Sequence, residues 1–231
     1  AFPNPDTLSE KLYRQIIGQY ERELRKEEQQ MDDRYREMVE YYTMWTHQIK
    51  TPIAAMHLLL QEEETPVSKE LQGELFQVEQ YVQMALQYLR MERMNTDLVF
   101  EKQELDALIH QAVRKYAPLF IRRKIALQYE DVHCQILTDE KWLEFVLEQV
   151  LSNALKYTRK GKIKIYMDPQ SPKTLVIEDT GIGIAPEDLP RVFERGYTGY
   201  NGRTDKRSTG IGLYLCRQIM DRLSHTIRIE S

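Results

Sequence analysis

Two runs of heptad spacing, separated by a Thr-Pro pair, restrict the first part of this chain more than any other feature. Apolar residues fall at Met31, Tyr35, Met38, Tyr42, Trp45 and Ile49, in steps of 4, 3, 4, 3 and 4. That is the seam of a helix made to lie along another helix. Leu71, Leu75, Val78, Val82, Ala85 and Leu89 repeat the same steps. Between the seams, Thr65-Pro66 offers an N-cap followed by proline at the first helical position. Two long helices joined by a short break fold back as an antiparallel hairpin. One hairpin cannot bury two seams, so residues 31–95 predict a dimer that forms a four-helix bundle. A monomeric hairpin laid on the rest of the chain is the alternative. Upstream, Leu8, Leu12, Ile16, Tyr20 and Leu24 keep a helical spacing with dense charge around them, which reads residues 1–30 as a solvated stalk leading on from something upstream.

Beyond Met94 the texture changes. Asn95–Asp97 reads as a hinge, Leu98–Gln103 as a strand, Leu105–Phe120 as an amphipathic helix and Ile125–Tyr129 as a second strand. Asp139 caps a helix running through Leu155, and Lys162–Met167 and Thr174–Glu178 alternate as strands around the turn Asp168–Ser171. A helix from Ile211 to Leu223 and a last strand, Thr226–Glu230, follow. Helices segregated from short strands make residues 96–231 an α+β layer domain. Its last strand has no successor to pair with, so a closing strand is expected to be missing.

Charge and cysteine content exclude some functions. Thirty-two basic against 36 acidic side chains give a net charge of −4, which argues against nucleic acid as a partner because binding it relies on displacing phosphate counterions. Cys134 and Cys216 make neither a disulfide framework nor a metal-ligand spacing, and a reducing compartment is the default. No apolar run is long enough for a membrane span within this stretch.

Four places carry chemistry. His47 falls two positions after Trp45, on the helix face that points away from the seam. An exposed imidazole is neutral near pH 7 and has a ring nitrogen free to attack phosphorus. Lys50 and Thr51 share its face, and Pro52 removes a helical hydrogen bond just beyond it. In the helix ending Gln149–Thr158, Asn153 and, one turn earlier, Gln149 offer amide oxygens to a hard cation such as Mg²⁺. There Lys156 can reach phosphates, and Tyr157 can cover a base. Asp179, at the mouth of a strand, can accept from an exocyclic amine such as adenine's, with Gly181 and Gly183 permitting the turn. Thr209, Gly210, Gly212 and Leu213 open a helix whose unpaired N–H groups can cradle phosphate. Between the glycine sites, Pro190–Arg207 reads as a polar lid containing Phe193, with Arg203, Lys206 and Arg207 as its charge. Taken singly, each place reads as well as an ordinary surface histidine, helix end or tight turn.

In this order, however, the chain resembles the sensor histidine kinases of bacterial two-component systems. The segments that carry the likeness are HQIKTP at His47, QVLSNALKYT at Asn153, DTGIG at Asp179, VFERG at Phe193 and STGIGL at Gly210 and Gly212. YYTMWTHQIKTPIAAM and VFERGYTGYNGR resemble the bacitracin-sensor (BceS-like) intramembrane-sensing branch more narrowly. The resemblance implies a GHKL-type ATPase sandwich that binds ATP with Mg²⁺. It implies that His47 takes the γ-phosphoryl group and passes it to an aspartate of a response regulator receiver domain. It further implies a homodimer at the cytoplasmic face of the bacterial membrane, anchored by an upstream segment, with an antimicrobial-peptide ABC transporter as partner. Thr51 matches the family's threonine for phosphatase activity toward the regulator. Three positions depart from the pattern. Gln48 stands where an acidic residue usually serves as base, so slow autophosphorylation is expected. Gln149 replaces an asparagine, and Thr198 replaces a lid arginine for which Arg203 or Lys206 would stand in. A GHKL-type clamp ATPase without phosphohistidine is the alternative.

Overall fold

A computed structural model describes residues 8–62, 65–91, 94, 98–171, 173–199 and 209–231. The chain divides into two compact units, Ala1–Leu86 and Gln87–Ser231.

The first unit is built from two helices. Helix α1, Leu8–Gln61, runs for 54 residues and continues through Pro52. Helix α2 spans Pro66–Met91 and starts on a reciprocal cap. The Ser68 N–H donates to Thr65 Oγ1 at 3.0 Å, and the Thr65 N–H donates to Ser68 Oγ at 2.9 Å, which satisfies two N–H groups that a helix start leaves open. The helices are antiparallel: Gln72 Nε2 donates to the Leu60 carbonyl at 3.0 Å, and His57 lies 3.6 Å from Glu79.

The heptad seams are covered only in part. Tyr35 and Ile49 are half-buried and Leu75 is buried. Met31, Met38, Tyr42 and Trp45 remain exposed, as do Leu71, Val78 and Ala85. The side of α1 turned toward cover in this chain carries Val39, Thr43, Thr46, Ile49 and Ile53. The cause is length: α2 has 26 residues against 54, so it can run beside only the later half of α1 and shields one flank of it.

In the second unit, strand β1 (Glu101–Glu104) pairs antiparallel with β3 (Gln135–Thr138). A separate sheet has the order β2-β4-β5, with β2 (Ala126–Tyr129) parallel to β4 (Lys162–Met167) and β4 antiparallel to β5 (Leu175–Asp179). Helices α3 (Leu105–Arg123), α4 (Glu140–Tyr157) and α5 (Gly212–Arg222) accompany them. Helix α3 buries Leu105, Leu108, Ile109, Ala112 and Tyr116, the stripe expected of an amphipathic helix. On β4, Ile163 and Ile165 are fully buried while the alternating Lys162, Lys164 and Tyr166 are half-covered, so one face of the sheet meets the core with Leu151 and Leu155 of α4 and Leu215 and Ile219 of α5. The other face carries the cross-strand pair Lys164–Glu178 at 3.2 Å. Cys216 is buried, which pushes its thiol up to about 12; it stays protonated and inert.

Three expectations need correction. Residues 98–100 are not in the ladder, because the Val99 N–H donates instead to Asp139 Oδ2 at 2.9 Å, and the strand begins at Glu101. Strand β3 was not anticipated at all. Thr226–Glu230 forms no ladder among the described residues, although exposure alternates along it. Alternation reports which side of a segment is covered, whereas a ladder needs a neighbouring backbone. Here the Ile227 carbonyl accepts from Arg217 Nη1 at 3.2 Å. The expected hinge at Asn95–Asp97 lies outside the described residues.

Asp139 holds two elements at once. It is buried, caps α4 by accepting the Trp142 N–H at 3.2 Å, and fixes Val99 through its other oxygen. Asp139→Ala is expected to destabilise the fold by about 2 kcal/mol, a lost cap plus an unsatisfied N–H. Urea unfolding checks this; a loss within about 0.5 kcal/mol, as for an ordinary surface change, would refute it.

Candidate functional site

On α1, His47 is exposed, with Gln48, Lys50 and Thr51 exposed around it. Thr46, one position earlier, is buried and donates its hydroxyl to the Tyr42 carbonyl at 2.8 Å. The helix is thus oriented by its covered side, and the imidazole falls on the side left in water. Thr51 Oγ1 donates to the His47 carbonyl at 3.4 Å. Pro52 has no N–H to give the carbonyl of Gln48, so the helix is least bonded beside His47.

The second group of residues gathers where α4 ends beside the mouth of β5. Gln149 is buried and Asn153, one turn later, is half-buried. Their neighbours fix the helix from behind: Glu148, buried, receives Lys115 Nζ on both oxygens at 2.6 Å. Tyr116 bonds to Ser152, and burial, reinforced by Glu148, raises its phenol pKa. Lys156 and Tyr157 are half-buried, with the Lys156 ammonium 5.3 Å from the Tyr157 ring centre.

Asp179 is exposed at the end of β5. Its Oδ1 accepts the Gly181 N–H at 2.8 Å and the hydroxyl of Thr158 at 3.4 Å. With one oxygen held, the carboxylate has a defined direction and a second oxygen to offer a donor. A Cβ on Gly181 would stand 2.6 Å from Asp179 Oδ1 and 2.8 Å from the Tyr157 carbonyl oxygen, so only glycine fits between helix end and turn. The Ile182 N–H donates to that same carbonyl at 3.3 Å. Gly183 follows with φ +68°.

Farther along, the described part of the expected lid is folded rather than a loose loop. Leu189–Arg191 forms a 3₁₀ turn, Tyr197 donates its hydroxyl to Asp188, and the Arg191 guanidinium covers the Tyr197 ring at 4.2 Å. Phe193 is half-buried with Arg217 of α5 5.9 Å from its ring centre, and Thr198 is half-buried. The Gly196 N–H donates to the Gly210 carbonyl at 2.9 Å. Gly210 has φ +66°, and a Cβ there would lie 2.5 Å from the Gly196 carbonyl carbon, so the two backbones meet where no side chain fits. Thr209 Oγ1 accepts the Ile211 N–H at 3.4 Å. Helix α5 then opens at Gly212 and Leu213 without a side-chain cap from Ile211, leaving its first turn to N–H groups that suit an anion. Arg203, Lys206 and Arg207 lie outside the described residues.

The structure therefore packs Gly181 between the Tyr157 carbonyl at the end of α4 and the Asp179 carboxylate, with Gln149, Asn153 and Lys156 farther back on that same helix. Sequence reasoning missed Thr158, fully buried yet bonded to Asp179, and Arg123, whose guanidinium donates to the Leu155 carbonyl. Their signals were slight: a threonine just past a helix end, and an arginine in the last turn of another helix. No group of three or more His, Cys, Asp or Glu side chains suited to a metal occurs among the described residues. The side chains of Asn153 and Gln149 present amide oxygens, the hard type of donor Mg²⁺ accepts, but no carboxylate cage that would hold the ion unaided.

Residues 138–231 match the family model described as histidine kinase-, DNA gyrase B-, and HSP90-like ATPase. The chain is similar to the sensor histidine kinase YxdK of Bacillus subtilis (strain 168), 34% identical over 223 residues, covering 94% of this chain and 67% of that protein. It is similar to the sensor protein BceS of Halalkalibacterium halodurans at 36% identity, covering 81% of this chain and 57% of BceS. Against the sensor histidine kinase GraS of Staphylococcus haemolyticus the identity is 36%, with 95% and 63% covered. The chain thus spans between 57% and 67% of the length of these relatives. Among solved structures, full-length ShkA in complex with AMPPNP matches with a TM-score of 0.54 at 20% identity, over 80% of this chain and 41% of ShkA, a likeness of fold.

Proposed function

The chain belongs to the sensor histidine kinases, and from that membership we propose that it binds ATP with Mg²⁺, autophosphorylates on His47, and passes the phosphoryl group to an aspartate of a response regulator. One observation carries the reading: a single chain holds an exposed imidazole on a helical unit and, in its other unit, an exposed carboxylate whose direction is fixed by Gly181 and Thr158.

Asp179 accepts the exocyclic amine of adenine, and Tyr157 covers the base. The open first turn of α5, with Gly210 and Gly212, and Lys156 hold the phosphates. Asn153, with Gln149 behind it, offers an amide oxygen to Mg²⁺, which when bound neutralises charge building on the transferred group. Phe193 anchors its segment to α5 through Arg217, and Arg203 and Lys206 add positive charge for the triphosphate. A ring nitrogen of His47 forms a bond to the γ-phosphorus as the bond to the β-bridging oxygen breaks, and ADP leaves. Gln48 orients the imidazole by hydrogen bonding but cannot take up its proton at neutral pH, so that proton passes to water and the step is slow. Thr51, on the same face, would position water against the regulator's phosphoaspartate.

Exposure of Met31, Met38, Trp45, Leu71 and Val78 supports a homodimer in which a second copy covers both seams. No described helix is long and apolar enough to cross a membrane. Anchorage at the cytoplasmic face through an upstream segment, and partnership with an antimicrobial-peptide ABC transporter, rest on the BceS-like resemblance.

Incubation with ATP labelled in the γ-phosphate tests the reading. The chain is expected to retain label in base and lose it in acid, as a phosphoramidate does. ATP hydrolysis without label on the protein would overturn it in favour of the clamp-type ATPase.

A further inference from the structure

The C-terminal end of α4 carries Lys156 and Tyr157, and its last carbonyls run out of helical N–H groups to bond. The first of the last four is met by the helix's own C-cap, and the other three find donors in other elements. The Ala154 carbonyl accepts the N–H of Thr158 at 3.0 Å, and the Tyr157 carbonyl accepts the N–H of Ile182 at 3.3 Å. The two between them, Leu155 and Lys156, both accept from one atom, Nη1 of Arg123, the latter at 3.4 Å. Arg123 belongs to the last turn of α3, is half-buried, and is separated from those carbonyls by more than thirty residues of chain. A guanidinium at this place also opposes the negative end of the helix dipole.

We propose that Arg123 is a positioning residue for the nucleotide. It clamps the end of α4 so that Tyr157 and Thr158 stay in register with the Asp179–Ile182 turn, and it touches no nucleotide itself. Deleting the cation removes the Arg123 bonds to the carbonyls of buried Leu155 and half-buried Lys156 and loosens the last turn of α4. The Ile182–Tyr157 bond and the hydroxyl that directs Asp179 Oδ1 loosen with it. Lys115–Glu148 and Tyr116–Ser152 hold the same helix farther back, so α4 as a whole keeps its place and the loss stays at its end.

This inference rests on the kinase reading, and its test separates the two. Calorimetry with an ATP analogue and with ADP, plus autophosphorylation at varied ATP, is run on the chain and on its Arg123→Met and Arg123→Lys variants. Failure of the unchanged chain to bind either nucleotide would sink the kinase reading, and the Arg123 inference with it. If it binds, Arg123→Met is expected to weaken both nucleotides by the same factor, about tenfold, the value of one charge-assisted hydrogen bond. KM for ATP should rise by that factor with kcat at saturating ATP unchanged, and Arg123→Lys should recover part of the loss. Unaltered affinity in Arg123→Met would overturn the inference, and so would a much larger loss for the triphosphate than for ADP, since that would place Arg123 on the phosphates. Hydrogen exchange guards against a merely unfolded variant: faster exchange confined to the Tyr157, Thr158 and Ile182 amides supports the clamp, and faster exchange throughout the second unit overturns it.

Discussion

His47→Ala leaves no acid-labile label on the chain, while its affinity for a non-hydrolysable ATP analogue stays unchanged. Alanine removes the nucleophile outright, so the expected loss is total to the limit of detection, at least about a thousandfold. Binding survives because every group proposed to hold the nucleotide lies in the unit Gln87–Ser231, whereas His47 lies in Ala1–Leu86. The fold survives too: the side chain is exposed, and the helix is oriented by Thr46 and Ile53, both buried. Residual label on the variant would show another acceptor. A large fall in nucleotide affinity would show that the two half-sites are not separable in the way proposed.

Asp179→Asn produces the complementary defect. The asparagine oxygen can still accept from Gly181 and Thr158, in the place of Oδ1. The amide NH₂ then takes the place of the second oxygen and confronts the adenine amine donor to donor. A lost charge-assisted hydrogen bond together with a buried mismatch costs about 3 kcal/mol, or roughly a hundredfold in affinity. Calorimetry with ADP reads this directly. Because Asp179 is exposed, the melting temperature should hardly move, and guanine nucleotides should lose no affinity in parallel. An affinity for ADP within about threefold of the unchanged chain would remove Asp179 from the site.

Much of this architecture could be read from residue order. Asp139 announced α4 because capping is a local act between a side chain and an N–H three residues on. Lys162–Met167 emerged with its observed bounds because alternating Lys and Ile leaves little choice of face. Strand β3 escaped because Gln135–Thr138 is four residues long, follows His133-Cys134 without a turn signal, and owes its existence to β1 more than thirty residues earlier. The heptad seams were correct as spacing, but which flank of α1 is covered depends on how far α2 reaches along it. At the proposed site, motifs exposed the residues whose side chains are proposed to meet the nucleotide. Arg123 remained hidden because its partners are backbone carbonyls, and no residue type marks a carbonyl as special. Thr158 stayed in the shadow of the residues before it because its task is to aim another side chain.

Helix α1 continues without interruption from Leu8 past His47. At about 1.5 Å and 100° per residue, every residue between those points adds to a shared angular phase. Losing or gaining one residue in the stretch before Met31 would turn the imidazole by more than a quarter circle relative to the helix start at Leu8. A change of 7 or 11 residues returns it to within about 20° of the original bearing, and a change of 18 restores it. Along the first half of α1, then, the bearing of the imidazole relative to Leu8 is set by counting residues.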